Sequence, residues 1–159
     1  MFALIKFLIR TAVGILFIFA VVGFFFTYRT DKSASHAEFI KGAAPAPALN
    51  GFYIGLANFY TWKWRGKEFS ASNQTGVNVF LEGESTTRKF PFKTSVGPGS
   101  RNPGTSVLKL DYDTGTNPFW MSPILDEVVE TAPGKYLGIM HYRLIPGYPF
   151  SFAYFRLTK

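Results

Sequence analysis

Carboxylates are the residues of this chain with the most obvious capacity for chemistry. Asp111 and Asp113 stand two apart on one strand face, and Asp126, Glu127 and Glu130 cluster a short distance on. Paired carboxylates can exchange protons as general acid and base, or hold calcium. The spacing here fits no calcium loop and has no glycine at the matching turn. Solvated faces, or ion pairs with the twelve Lys and Arg of residues 50–159, are the plainer reading. The two histidines, His36 and His141, stand far apart in a chain with no cysteine. They make no zinc site, which takes four ligands or three plus water. His141 shares parity with Leu137 and Ile139 and reads as a hydrogen-bonded structural histidine. No G-x-S-x-G elbow, G-x-x-x-x-G-K-[ST] loop or H-E-x-x-H helix occurs. The expectation is a protein without catalytic residues, resident metal or cofactor.

A second constellation is built for contact. Trp62 and Trp64 alternate with Lys63, Arg65 and Lys67. Regular alternation puts the rings on one strand face and the three cations on the other. Such a stripe can meet lipid phosphates or stack single-stranded bases. An ordinary barrel strand, aromatics inside and charges outside, has the same pattern. Phe119-Trp120-Met121, beside the Gly115-Thr116 turn, forms an apolar patch suited to a lid, a dip into a lipid interface or a partner contact; a core plug fits equally.

The element that must carry these residues is announced at the N-terminus. From Thr11 to Tyr28 there is no charged side chain. As a helix this run measures roughly 27 Å, close to the ~30 Å hydrocarbon core of a bilayer. Lys6 and Arg10, one helical turn apart, can snorkel to one headgroup layer. The run is long for a signal peptide, and no small-x-small motif follows it directly. Residues 1–29 therefore read as a retained single-pass anchor. The positive-inside count is almost balanced, and the short signal-like N-terminal tail favours an exported domain. A membrane stalk argues against a nucleic-acid partner.

Residues 30–49 end in Ala-Pro alternation and read as a semi-rigid spacer. Residues 50–159 change to period two, punctuated by Gly, Pro and Asn, with no long amphipathic helix. Pro118–Leu125 could hold a helical turn. Six to eight short strands argue an all-β antiparallel sheet. Closure into one barrel removes exposed edges, and eight strands leave an interior that is filled or holds one small ligand. The net charge of +7 divides as +3 in residues 1–49 and +4 in residues 50–159. It suits anionic headgroups or an acidic partner, and serves solubility equally well.

Gly51-Phe52-Tyr53-Ile54-Gly55 resembles the G-x-W-x-G opening of lipocalin-like (calycin) barrels, with Tyr53 at the tryptophan position. Trp64-Arg65-Gly66-Lys67-Glu68-Phe69 resembles the W-x-G-K-x-F run of the family named for that signature. The stretch from Leu108 onward is similar to the domain of unknown function often found behind it, through Tyr112-Asp113, Leu137-Gly138-Ile139-Met140 and Tyr154-Phe155-Arg156-Leu157. The resemblance implies a small lipocalin-like barrel and imports no reaction.

Two functions follow. In one, the barrel holds a hydrophobic small molecule or lipid lined by Tyr53, Trp62, Trp64, Phe90 and Phe92. In the other, the interior is packed and the chain is an accessory subunit of a larger membrane complex. Bilayer or partner contacts would then come from Lys6, Arg10, Lys63, Arg65, Lys67, Phe119, Trp120 and Met121.

Overall fold

The computed structural model describes residues 2–57 and 63–159. Helix α1 (Phe2–Asp31) is followed by a single turn and a half, α2 (Ala34–Phe39). Eight strands then run β1 (Gly51–Ala57), β2 (Trp64–Ser70), β3 (Thr75–Glu82), β4 (Ser85–Pro98), β5 (Ser106–Asp111), β6 (Ile124–Ala132), β7 (Lys135–Ile145) and β8 (Tyr148–Thr158). Each strand pairs antiparallel with the next, and β8 returns to β1, so the sheet closes into a barrel without edges. The all-β expectation and the single long helix ahead of it both hold. Helix α1 is long and apolar enough to cross a membrane, and its apolar side chains up to Ile18 are largely exposed.

Its C-terminal third docks on the tip of the β7–β8 hairpin. Gly23 lies so close to Phe150 that a Cβ there would stand 2.7 Å from the ring. Phe24 packs edge-on against Phe150, and Phe19 meets Tyr142 and Phe152. Thr27 Oγ1 accepts a 2.9 Å hydrogen bond from the Ser151 amide, and Arg101 donates to Asp31 at 2.7 Å.

Residues 30–49 differ from the expected spacer. Ser33 caps α2, its Oγ accepting from the His36 amide at 3.2 Å. Phe39 is fully buried with Val107, Val129, Leu137 and Ile139 on the outer face of the barrel. Ala43 bridges to Glu130, and Leu49 enters the inner core. Burial of Phe39 and Leu49 outweighs the extended preference of the Ala-Pro run, so this segment straps the barrel. The Pro118–Leu125 segment holds one helical turn, the Pro118 carbonyl accepting from the Met121 and Ser122 amides at 2.8 and 3.3 Å, before β6 begins at Ile124.

Three irregularities re-aim side chains. In β2 the register shifts between Trp64 and Gly66. Gly66 has φ +138°, and a Cβ there would sit 1.9 Å from the Tyr53 carbonyl oxygen, so the shift needs glycine. In β4, Val77 pairs with Pro91 and Asn78 with Lys89, which leaves Phe90 as the extra residue, at φ +58°. In β8, Met140 pairs with Ala153 and His141 with Ser151, so Phe152 is bulged.

Candidate functional site

One half of the barrel interior is packed and the other half is hollow. The packed half holds Leu49, Tyr53, Phe69, Leu108, Leu110 and Leu157. The hollow half contains a cavity of about 420 Å³. Its walls come from the ends of β1 and β3 (Ala57, Phe80), the start of β2 (Trp64), Phe90, Met140 and Phe155, with Trp120, Met121 and Ile124 across the mouth. The β5–β6 loop (112–123) is held there by Asn117, whose amide group donates to the carbonyls of Pro91 (2.7 Å) and Tyr112 (2.8 Å). The Phe90 bulge presents its ring to Trp120, centroids 5.5 Å apart. A left-handed phenylalanine costs backbone energy, and strain of this kind collects where a side chain must be aimed.

The mouth lies at the end where β1, β3, β5 and β7 finish and their partners begin. The β7–β8 tip that receives helix α1 belongs to that same end.

The cavity floor is polar and almost fully buried. Lys67, 2% exposed, donates to Asn78 Oδ1 (2.9 Å), Tyr112 Oη (2.6 Å) and Asp126 Oδ2 (2.8 Å). Tyr112 donates to the same carboxylate oxygen at 3.1 Å. Asn78 accepts from Trp64 Nε1 at 3.1 Å and donates to Tyr112 Oη at 2.8 Å. The rings of Phe155, Phe92, Tyr112 and Trp64 surround the ammonium at 5.1–5.7 Å from their centroids, a favourable field for a cation. Burial pulls the Lys67 ammonium below its ordinary range, against the opposing pull of Asp126. Burial, joined by the Asp126 carboxylate, lifts the Tyr112 phenol well above its own.

The floor corrects the reading of the basic stripe. Strict alternation puts Lys67 outside with Lys63 and Arg65. The register shift at Gly66 adds a residue, reverses the parity and turns Lys67 inward beside Trp64. Arg65 and Lys63 are exposed as expected. Asp126 and Glu127, expected on solvated faces or in ion pairs, are both buried: Asp126 inside the barrel, where it pairs with Lys67, and Glu127 outside it.

Of the proposed lining residues, Trp64 and Phe90 face the cavity. Tyr53 and Phe92 pack in the inner core instead, where Tyr53 meets Phe69 edge-on and Phe92 meets both Phe69 and Tyr112. Trp62 lies outside the described residues. Of the contact candidates, Lys6 and Arg10 are exposed on α1. Phe119 is 88% exposed and Trp120 47%. Met121 is buried and lines the cavity, because the turn from Pro118 points it inward. Sequence reasoning missed Lys67, Asn78, Tyr112 and Asp126 as a group. Gly66, isolated within a strand, was the available signal of a parity change.

Asp111, Asp126 and His141 share no cleft. Asp111 pairs with Arg143, while His141 belongs to a separate buried chain outside the barrel. Its Nδ1 meets Ser151 Oγ at 3.1 Å and its Nε2 meets Glu127 Oε2 at 3.3 Å. The Ser100 amide and hydroxyl donate to the other Glu127 oxygen at 2.8 and 2.6 Å. The residue types are those of a hydrolase triad. Ser151 is fully buried, however, with Thr27 of α1 bonded to its backbone. The chain fastens helix, β4–β5 loop and hairpin together. Burial raises the Glu127 carboxyl, but the His141 contact and the two Ser100 donors outweigh it and hold it below the ordinary value.

Neither a protein family nor a curated protein nor a solved structure matches this chain. The eight-stranded antiparallel closed barrel agrees with the lipocalin-like architecture that residues 51–69 resemble, while no family match supports the G-x-W-x-G family itself.

Proposed function

We propose that this chain is a membrane-anchored binding barrel that takes a lipid or other hydrophobic small molecule from the bilayer surface. The observation that carries this reading is positional: the cavity opens at the barrel end on which the apolar helix docks. A tether there keeps the mouth near the ligand's source, raising its effective concentration. The cavity's size falls within the ~300–1,000 Å³ usual for small-molecule sites, and its walls are apolar with a few polar groups. Phe119 and Trp120 at the rim, with Tyr148 on the hairpin, are the amphipathic and aromatic types that settle at a lipid interface. Lys6 and Arg10, ahead of the uncharged run, favour an exported barrel in this reading.

The test is gentle detergent extraction, followed by mass spectrometry of what the purified chain retains. A stoichiometric amphiphile supports the reading; a chain that comes away empty and takes up no added lipid overturns it.

An accessory-subunit role is the second reading. Phe52, Ile54 and Leu56 alternate along β1 and are exposed, giving the barrel an apolar outer stripe that a further membrane subunit could cover. Sizing of the extract decides it: a stable larger assembly supports the role, and migration as one 17.8 kDa chain in its micelle opposes it.

A further inference from the structure

We infer that the cavity selects amphiphiles whose polar end is an uncharged hydrogen-bond donor, a hydroxyl or an amide, and rejects carboxylates of the same chain length. The inference rests on the ligand-binding reading above and specifies the ligand's head.

It follows from counting the floor's donors and acceptors. Lys67 has three N–H groups, and Asn78, Tyr112 and Asp126 occupy all of them. The Tyr112 hydroxyl hydrogen goes to Asp126 Oδ2, and the Trp64 indole hydrogen goes to Asn78. The Asn78 amide group donates to Tyr112 and, at 3.4 Å, to the Phe90 carbonyl. Among these floor residues no donor is left over for a ligand.

An acceptor is left over. Asp126 is 4% exposed and lines the cavity, and both hydrogen bonds it receives end on Oδ2. Among the described residues Oδ1 has no donor. It is also not shut away from solvent-sized space, since among the described residues Thr87 Oγ1 is the sole fully enclosed side-chain polar atom without a partner. The accessible space beside it is the cavity.

A carboxylate brings only acceptors and a negative charge. It would set its oxygens against Oδ1 and find Lys67 already neutralised, with its own hydration lost. An alkylammonium would add a second buried cation to a balanced pair. A hydroxyl or amide N–H supplies the missing donor without adding charge. The apolar remainder then lies between Trp64, Phe80, Phe90 and Phe155 and leaves through the Trp120 rim.

The test uses the full chain in lipid nanodiscs at mildly alkaline pH. A bromine-labelled dodecanol and the matching bromine-labelled dodecanoate are compared at equal membrane mole fraction, read by tryptophan quenching. The alcohol is expected to bind about ten- to a hundredfold more tightly, the range set by an unsatisfied buried polar group. Asp126→Asn removes the counter-charge of Lys67 and is expected to invert the preference towards the carboxylate. The double variant Lys67→Met/Asp126→Leu removes the pair together and is expected to abolish the discrimination. It decides the matter if D126N does not fold. Equal or tighter binding of dodecanoate by the native chain overturns the inference and leaves the binding reading standing; so does a preference for the alcohol that survives the double variant. Quenching by neither probe sinks the binding reading itself.

Discussion

Lys67 and Asp126 meet at 2.8 Å inside the barrel, almost entirely cut off from solvent. They come from β2 and β6, which are not neighbours in the sheet, so their contact spans the interior. A buried pair is weak evidence of stability in itself, since desolvation offsets much of the attraction. Breaking it is another matter, because one charge is stranded.

Lys67→Met alone, or Asp126→Leu alone, is therefore expected to cost about 3–5 kcal/mol of stability. The double replacement is expected to cost much less than the two added together. Thermal unfolding of the four proteins in one detergent checks this. Simple additivity would mean that the two charges do not act as a unit.

Acid should loosen the outer network. The folded pKa of Glu127 lies below its ordinary value of 4.5. Between those two values the unfolded chain binds more protons than the native one, so stability falls as pH falls. The contribution is complete above pH 4.5 and disappears as pH drops through the folded pKa. Melting temperature followed against pH should fall more steeply in this window for the native chain than for Glu127→Gln. Parallel curves would remove Glu127 from the account.

The helix–barrel junction should tolerate no added bulk. A Cβ at residue 23 would overlap the Phe150 ring, so Gly23→Val is expected to cost about 1–3 kcal/mol through overpacking. Thr27→Val strands the buried Ser151 amide and is expected to cost ~1–3 kcal/mol. Limited proteolysis in the 30–49 segment should accelerate in both variants; unchanged cleavage would show that the helix does not brace this strap.

At the mouth, Phe90→Gly relieves the left-handed strain, worth about 1–2 kcal/mol, and removes the ring that covers Trp120. Stability should change little while ligand affinity falls and tryptophan emission shifts to the red. A large loss of stability with unaltered emission would place Phe90 in the core rather than at the gate.

Attachment itself is open to a direct check. The chain should stay with membranes through an alkaline wash, and a version beginning at Ala34 should not. Release of the full chain would remove the bilayer from the argument.

Much of this protein was readable along the chain, because its local rules are strong. The uncharged run from Thr11 to Tyr28 dictates a helix of membrane length, and alternation broken by Ala132-Pro133-Gly134 and Ile145-Pro146-Gly147 dictates hairpins. Barrel closure followed from the number and shortness of those strands. The site did not follow, because period-two reasoning loses its phase at each bulge. One extra residue before Gly66 moves Lys67 from water into the interior. Neither could the chain reveal that both faces of β6 are covered, Asp126 by the barrel's own contents and Glu127 by Ser100 from the folded-back β4–β5 loop. Burial on the outer face depends on what packs there from a distance, and only the assembled structure supplies it.

The linear order of residues determined a greasy helix, an alternating sheet and its turns, since each depends on near neighbours and solvent preference. Which charges went inside and whom they met were settled by tertiary contact. Those outcomes depend on strand phase and cross-barrel distance, which no local pattern encodes.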